Sequence, residues 1–74
     1  MTLSPRERQL VLELALWGEE YAPSSDLRAK FGVSSGTLRY IIDGVRNKYG
    51  ESAIELAPRR GYRLHPKVLA AASQ

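Results

Sequence analysis

The sequence predicts an α+β domain in which three helices precede a two-stranded β-hairpin. Three segments before residue 50 each combine a helix-start signal with apolar residues that recur at helical spacing. Two short segments after residue 53 instead alternate apolar and polar residues, which is typical of strands with one buried face. The chain has only 74 residues, so we expect one domain with a small core and no large substrate cavity.

The first helix has the clearest start signal. Ser4 precedes Pro5 at the first helical position, and Glu7 lies three residues after Ser4, where it can complete a capping box. An apolar face follows, and we expect Gly18 to end the helix. The residues predicted on this face are Leu10, Val11, Leu14 and Trp17, with Leu12 and Leu16 widening it.

A second helix and a third helix follow in close succession. The second is short and is predicted to start at Ser24 or Ser25, which can act as its N-cap, and to end at a left-handed Gly32. Ser34 is then expected to cap a third helix from residue 35 to about residue 49. Because so tight a turn joins these helices, the pair is predicted to be a helix-turn-helix. The third helix repeats apolar residues with a 3.6-residue period at Leu38, Ile41, Ile42, Val45 and Tyr49.

Residues 54–64 predict a hairpin and also its register. If Leu56 lies opposite Tyr62, then Ile54 meets Leu64, and the closing loop runs from residue 57 to residue 61. Gly61 can take the positive φ that bulged hairpin turns need. A shift by one residue would place apolar side chains opposite charged ones, so the register is well specified.

Two further segments have weaker patterns. Tyr21, between the first two helices, is predicted to pair with the hairpin as a short third strand. Residues 67–74 contain Leu69 and three alanines and are predicted to be a helical extension or a linker stub. The domain itself is assigned to residues 1–66.

The net charge of +3 is unevenly distributed. Residues 1–26 carry two arginines against five acidic residues, whereas residues 27–74 carry nine basic residues against three acidic ones. A polyanion would orient such a molecule with its basic side inward. Because an arginine-rich hairpin also follows a helix rich in arginine and lysine, double-stranded DNA is the predicted partner.

The residue inventory argues against several classes of function. One histidine, no cysteine and no glycine-rich phosphate loop leave no catalytic triad, no two-histidine metal site and no nucleotide cradle. We therefore expect no enzyme activity, no cofactor, no metal and no small-molecule substrate. The absence of cysteine is compatible with a reducing cytoplasm, and no apolar run approaches the ~20 residues that span a bilayer. A cytoplasmic protein without a membrane partner is expected.

The polar face of the third helix carries side chains that can read a DNA groove. Arg39 can donate two hydrogen bonds to guanine, Asn47 can pair likewise with adenine, and Tyr40 can touch a thymine methyl or donate to a phosphate. Gly36 would let the helix N-terminus approach a phosphate closely. Alternatively, Arg39 and Asp43, four residues apart, form a surface ion pair. The candidate base contacts are Ser35, Gly36, Arg39, Tyr40 and Asn47.

A second group of basic residues is predicted to contact the DNA backbone or the minor groove. The hairpin loop projects Arg59 and Arg60 into solvent, where they can lie along phosphates or enter a minor groove. Lys30 and Lys48 could equally be solvated charges. The full set of candidates is Arg28, Lys30, Arg46, Lys48, Arg59, Arg60 and Arg63.

The order of these motifs resembles the winged-helix effector domain of OmpR-type response regulators. The resemblance covers residues 3–65 and rests on the motifs Leu3–Glu7, Val45–Lys48 and Gly61–Leu64, together with the helix that contains Leu27. It implies a winged helix-turn-helix fold, with the third helix in the major groove and the hairpin as the wing. It also implies transcription regulation in a bacterial or phage-like context. By resemblance, the reading face holds Arg39, Tyr40, Asp43 and Asn47, and the wing tip holds Arg59 and Arg60.

This chain also departs from the family pattern. Family members usually carry a small sheet before the first helix and a longer loop before the recognition helix, which can touch RNA polymerase. Here the turn before the third helix is minimal, so polymerase activation through that loop is not expected.

The predicted function is sequence-specific binding of double-stranded DNA by a small transcriptional regulator or architectural factor. The alternative is a winged helix used for protein–protein contact, with the acidic first third as a docking surface. A single module of this size buries little DNA surface, so a homodimer or a second protein is also an expected partner.

Overall fold

The structure is a computed structural model that describes residues 2–72. It is α+β, with helices followed by a two-stranded antiparallel hairpin. None of the helices within the described residues is long and apolar enough to cross a bilayer. The elements are α1 (Pro5–Trp17), α2 (Ser24–Phe31), α3 (Ser35–Tyr49), a 3₁₀ turn (Glu51–Ala53), β1 (Ile54–Ala57), β2 (Gly61–Leu64) and α4 (Pro66–Ala72).

Local capping fixes the start of α1 as the sequence predicted. The Ser4 hydroxyl accepts a hydrogen bond from the Glu7 backbone N–H at 3.2 Å, and the Ser4 N–H donates to the Glu7 carboxylate at 2.9 Å. This reciprocal pair satisfies two backbone groups that the first helical turn leaves unbonded. The helix ends at Gly18, which has a φ of 64°.

The boundaries of α2 and α3 are confirmed, but the predicted serine cap of α2 is wrong. Pro23 occupies the N-cap position and makes no side-chain cap, because its ring carries no acceptor. Gly32 ends α2 in the left-handed conformation, with a φ of 64° and a ψ of 40°. Ser34 caps α3 as predicted, accepting from the Thr37 N–H at 3.2 Å.

The hairpin has the predicted register, with Ile54 opposite Leu64 and Leu56 opposite Tyr62. Gly61 has a φ of 120°, and a Cβ added there would overlap the carbonyl oxygen of Ala22. The loop also holds Arg59 at a φ of 67°, a conformation that non-glycine residues rarely adopt. Glycine at position 61 therefore serves both the turn and the close approach of the preceding connection.

The short third strand is present as a single bridge, but it is centred on Ala22 and not on Tyr21. Ala22 donates to the Tyr62 carbonyl at 2.7 Å, and Tyr62 donates back to the Ala22 carbonyl at 3.0 Å. Adjacent residues of an extended chain point in opposite directions. As a result the small Ala22 side chain is buried, while the Tyr21 ring lies 4.6 Å below the guanidinium of Arg63.

One core joins the helices to the base of the hairpin. The fully buried large side chains are Leu10, Leu14, Leu27, Leu38, Ile42, Val45, Ile54 and Leu64. Four residues expected to face this core are instead more than half exposed, namely Leu12, Leu16, Tyr49 and Leu56. Leu12 and Leu16 lie on the side of α1 that points away from the core, and a helix can bury only the face that a neighbour covers.

The predicted tail is helical and packs onto the domain within its described part. In α4, Val68 and Leu69 lie against the core cluster, and the Leu69 N–H donates to the His65 carbonyl at 2.9 Å. The described part of the tail thus packs against α1 and β2. The last two residues of the predicted tail, Ser73 and Gln74, lie outside the described residues.

Candidate nucleic-acid interface

The outward face of α3 carries the predicted base-contact residues. Leu38, Ile41, Ile42 and Val45 turn inward, so residues offset by half a turn must face solvent. Tyr40 is 79% exposed, so its ring and hydroxyl are accessible to a ligand. The exposed residues of this face are Ser35, Gly36, Arg39, Tyr40, Asp43 and Asn47.

The side chain of Arg39 bonds to no other described residue. The alternative prediction, an ion pair between Arg39 and Asp43, is therefore wrong. Within residues 2–72, Arg39 has no ion pair and no side-chain hydrogen bond. The Asp43 carboxylate instead lies 3.9 Å from Arg46, which is three residues further along α3. The Arg39 guanidinium keeps all five of its N–H donors available to a ligand.

Arg46, a predicted phosphate contact, holds the hairpin to α3. Its Nε and Nη2 atoms both donate to the Ile54 carbonyl oxygen, at 3.2 and 2.8 Å. The side chain is only 17% exposed. Because Ile54 begins β1, this forked contact fixes the base of the hairpin against the end of the helix.

Lys48 is also engaged within the fold. Its ammonium group lies 2.5 Å from the Glu7 carboxylate, which already caps α1. The Lys48 ammonium, together with the Ser4 N–H, holds the pKa of Glu7 below its ordinary range. A Cβ on Gly44 would overlap this carboxylate, so glycine lets α3 approach the start of α1. Lys48 is therefore a bridge between two helices and not a solvated charge.

Arg63 ties the hairpin to the connection between α1 and α2. Its Nε donates to the Glu55 carboxylate at 2.7 Å, and its Nη1 donates to the Glu19 carbonyl at 2.9 Å. The guanidinium also stacks over the ring of Tyr21. The Glu55 carboxylate raises the pKa of Arg63, so its charge is retained. Two N–H groups and one face of the Arg63 guanidinium thus already contact protein groups.

Arg59 and Arg60, at the hairpin tip, are exposed, and their side chains have no ion pair or hydrogen bond in the described part of the chain. They line a groove of about 260 Å³ between the hairpin and the start of α2. A second groove, of about 370 Å³, runs from there to Arg39 at the start of α3. Both grooves are lined by Ser24 and Tyr62. One continuous surface, which we call the arginine surface, therefore joins Arg59 and Arg60 to Arg39.

The two basic residues of α2 differ from each other. Lys30 is exposed near the end of α2, where it lines a cleft with Glu13 of α1, whereas Ser24 begins the helix. Arg28 is partly buried, and its Nε atom is enclosed without a hydrogen-bond acceptor among the described residues. Lys30 is thus separated from the arginine surface.

Sequence reasoning missed Ser24 and Tyr62 as members of this surface. Ser24 was read only as a cap and Tyr62 only as a core residue, yet both line the grooves between the arginines. The alternation of β2 could not reveal this, because Tyr62 is only half-buried and also lines both grooves.

The described residues contain no cluster of three or more histidine or acidic side chains that could hold a metal ion. Comparison of the chain with protein-family models, with curated proteins and with solved structures finds no match. The resemblance to OmpR-type effector domains therefore stays a prediction from the sequence.

Proposed function

We propose that this protein is a winged helix that binds double-stranded DNA, as a small transcriptional regulator or architectural factor. The observation that carries the proposal is the arginine surface, where Arg39, Arg59 and Arg60 are exposed, uncommitted and joined by two adjoining grooves. Arg46, Lys48 and Arg63 instead bond to protein oxygens. Free guanidinium groups along a continuous surface suit the phosphates and base edges of a duplex.

In this proposal, the first half of α3 enters the major groove. A helix fits that groove, and Arg39 can give paired hydrogen bonds to guanine O6 and N7. Tyr40 extends fully from the same face and can contact a thymine methyl or a phosphate. Ser35 and Gly36, at the start of α3, bring the helix N-terminus close to the backbone, and Asn47 reaches bases further along.

The hairpin acts as a wing that lies along the duplex beside α3. Arg59 and Arg60 neutralise phosphates or enter the adjacent minor groove. The remaining predicted backbone contacts take other roles. Arg46 holds the base of the hairpin against α3, Arg63 ties the hairpin to the connection between α1 and α2, and Lys48 holds α3 to α1. Arg28 and Lys30 add to the positive field of α2.

A protein–protein module is the second candidate, and one observation favours it. Leu12 and Leu16 form an exposed apolar face on α1, in the acidic first third of the chain. Exposed apolar surface of this kind marks contact sites in small proteins. This face lies apart from the arginine surface, so the two candidate functions use different residues.

Selection of bound duplexes from a random pool, followed by titration at several salt concentrations, separates these candidates. DNA binding predicts an enriched sequence and an affinity that falls steeply with salt. The triple variant Arg39→Ala/Arg59→Ala/Arg60→Ala should lose this binding while its circular dichroism stays that of the parent. If no duplex is enriched and affinity for all duplexes is absent at low salt, the DNA proposal fails and the protein–protein candidate takes its place.

A further inference from the structure

An apolar stripe runs along the outer side of α1, where no element of residues 2–72 covers it. Leu12 is 55% exposed and Leu16 is 82% exposed, and they lie one helical turn apart on the same face. Single exposed leucines are ordinary on protein surfaces, whereas a contiguous apolar surface indicates a contact site.

A groove of about 370 Å³ adjoins this stripe on the same side of the molecule. Leu12 forms part of its wall, so the stripe and the groove are one continuous surface. Its apolar walls come from three helices, with Val11 and Leu12 from α1, Tyr49 from α3, and Val68 and Ala71 from α4. The exposed Leu16 side chain thus lies beside an apolar groove.

The charges at the two ends of the stripe indicate its partner. Arg8 lies one turn before Leu12, and Glu20 lies four residues after Leu16, in the turn that follows α1. Both side chains are exposed, and neither has an ion pair or side-chain hydrogen bond within the described residues. A cation therefore lies at the start of the stripe, and a carboxylate lies just beyond its end.

This pattern is complementary to itself when two copies meet antiparallel. Arg8 lies on α1 before the two leucines, and Glu20 lies just beyond the end of the helix at Trp17. A two-fold axis that crosses α1 between Leu12 and Leu16 would place Leu16 of each copy against Leu12 of the other, beside the apolar groove. The same axis would bring Arg8 of each copy to the end of the contact at which Glu20 of the other lies. A parallel pairing would bring like charges together, so the charges select the antiparallel arrangement.

We propose that this protein forms an isologous homodimer through antiparallel α1 helices. Leu16 of each protomer packs at the mouth of its partner's groove, and two Arg8–Glu20 ion pairs flank the apolar contact. Each protomer contributes two leucines and one groove to the contact, so we expect a weak dimer that depends on concentration. The contact shares no residue with the arginine surface, and the proposal does not rest on DNA binding.

Sedimentation equilibrium of the full chain without DNA tests the apolar contact. The average mass of the parent protein should rise from monomer toward dimer as concentration increases. Leu16→Glu should weaken self-association by about 100-fold or more, because each dimer would enclose two unpaired carboxylates. Leu56→Glu is the matched control, since Leu56 is another exposed leucine but lies on the hairpin, and it should dimerise like the parent.

Charge reversal tests the orientation. Arg8→Glu and Glu20→Arg should each weaken the dimer by about tenfold, because both ion pairs become repulsive. An equimolar mixture of the two variants should recover parental association, since the mixed dimer has an attractive pair at both ends.

Three outcomes would each overturn the proposal. These are a parent that stays monomeric up to millimolar concentration, a loss with Leu56→Glu equal to that with Leu16→Glu, and charge variants that do not recover on mixing. Duplex binding by a strictly monomeric protein would overturn the dimer and leave the proposed DNA binding intact.

Discussion

Two regions of this molecule carry similar basic residues in different states. The first lies at the hairpin tip and the start of α3, and the second lies at the end of α3 and the base of the hairpin. In the first region the guanidinium groups are exposed and unpartnered within the described residues, whereas in the second each cation bonds to a protein oxygen. The first group is Arg39, Arg59 and Arg60, and the second is Arg46, Lys48 and Arg63.

The difference between the two regions shows that a basic residue in a sequence does not always have N–H groups free to bind a ligand. An engaged cation still contributes to the long-range field that attracts a polyanion. Its N–H groups, however, are already used, and a phosphate would have to displace their acceptors. We therefore expect the second region to control stability and hairpin angle, and the first to control affinity and specificity.

The largest effect should come from removing an engaged cation. Arg46→Ala should lower the free energy of unfolding by roughly 1.5–3 kcal/mol, because the Ile54 carbonyl loses two charged donors. Arg39→Ala removes the same side chain from the same helix and should change stability by less than about 0.5 kcal/mol. Urea unfolding of both variants measures the contrast. Equal losses of stability would abolish the distinction between the two regions.

Next in size is the effect of Arg39 on recognition. Arg39→Ala should weaken binding to the preferred duplex by about 1–3 kcal/mol and relax the preference at one base pair, with little loss on random DNA. Competition titrations with the selected and random duplexes give both numbers. A similar loss on the two duplexes would reassign Arg39 from a base to a phosphate.

The hairpin tip should affect all sequences alike. Replacing Arg59 and Arg60 with alanine should reduce the slope of log K against log salt by about 0.9 per lost phosphate contact, or about 1.8 in all. Lys30→Ala/Lys67→Ala removes the same charge outside the two grooves of the arginine surface and should leave the slope near that of the parent. If the two double variants behave alike, only net charge matters and the hairpin does not lie on DNA.

The smallest expected effect concerns the Glu7–Lys48 bridge and its pH dependence. Glu7→Gln can keep the capping box but loses the charge, so we expect a loss of roughly 0.5–1 kcal/mol at neutral pH. The folded pKa of Glu7 lies below its ordinary value of 4.5. The bridge is therefore fully present above that pH and is lost as the pH falls through the folded pKa.

Thermal unfolding of parent and Glu7→Gln between neutral and acidic pH measures this difference. The parent should be more stable by a constant amount above pH 4.5, and the two proteins should converge at lower pH. A gap that persists after Glu7 is protonated would mean that packing, and not the ion pair, carries the contribution.

The parts of the fold that the sequence predicted correctly depend on residues that lie close together in the sequence. Ser4 and Ser34 cap helices through bonds that span three residues, and Gly32 and Gly61 supply backbone conformations that few other residues tolerate. The hairpin register follows from the two-residue period of its strands. The boundaries of α3 and the exposure of Arg39 and Tyr40 follow from the helical period of the same short segment.

Only the tertiary structure decided which side chains these elements leave available. Lys48 finds its carboxylate 41 residues away and Arg63 finds a carbonyl 44 residues away, and no local pattern encodes such partners. The exposure of Leu12 and Leu16 was also set by packing, because α1 has apolar residues on more sides than its neighbours can cover. Periodicity determines where a side chain points along its own element, whereas its burial and its partners depend on what the rest of the chain places there.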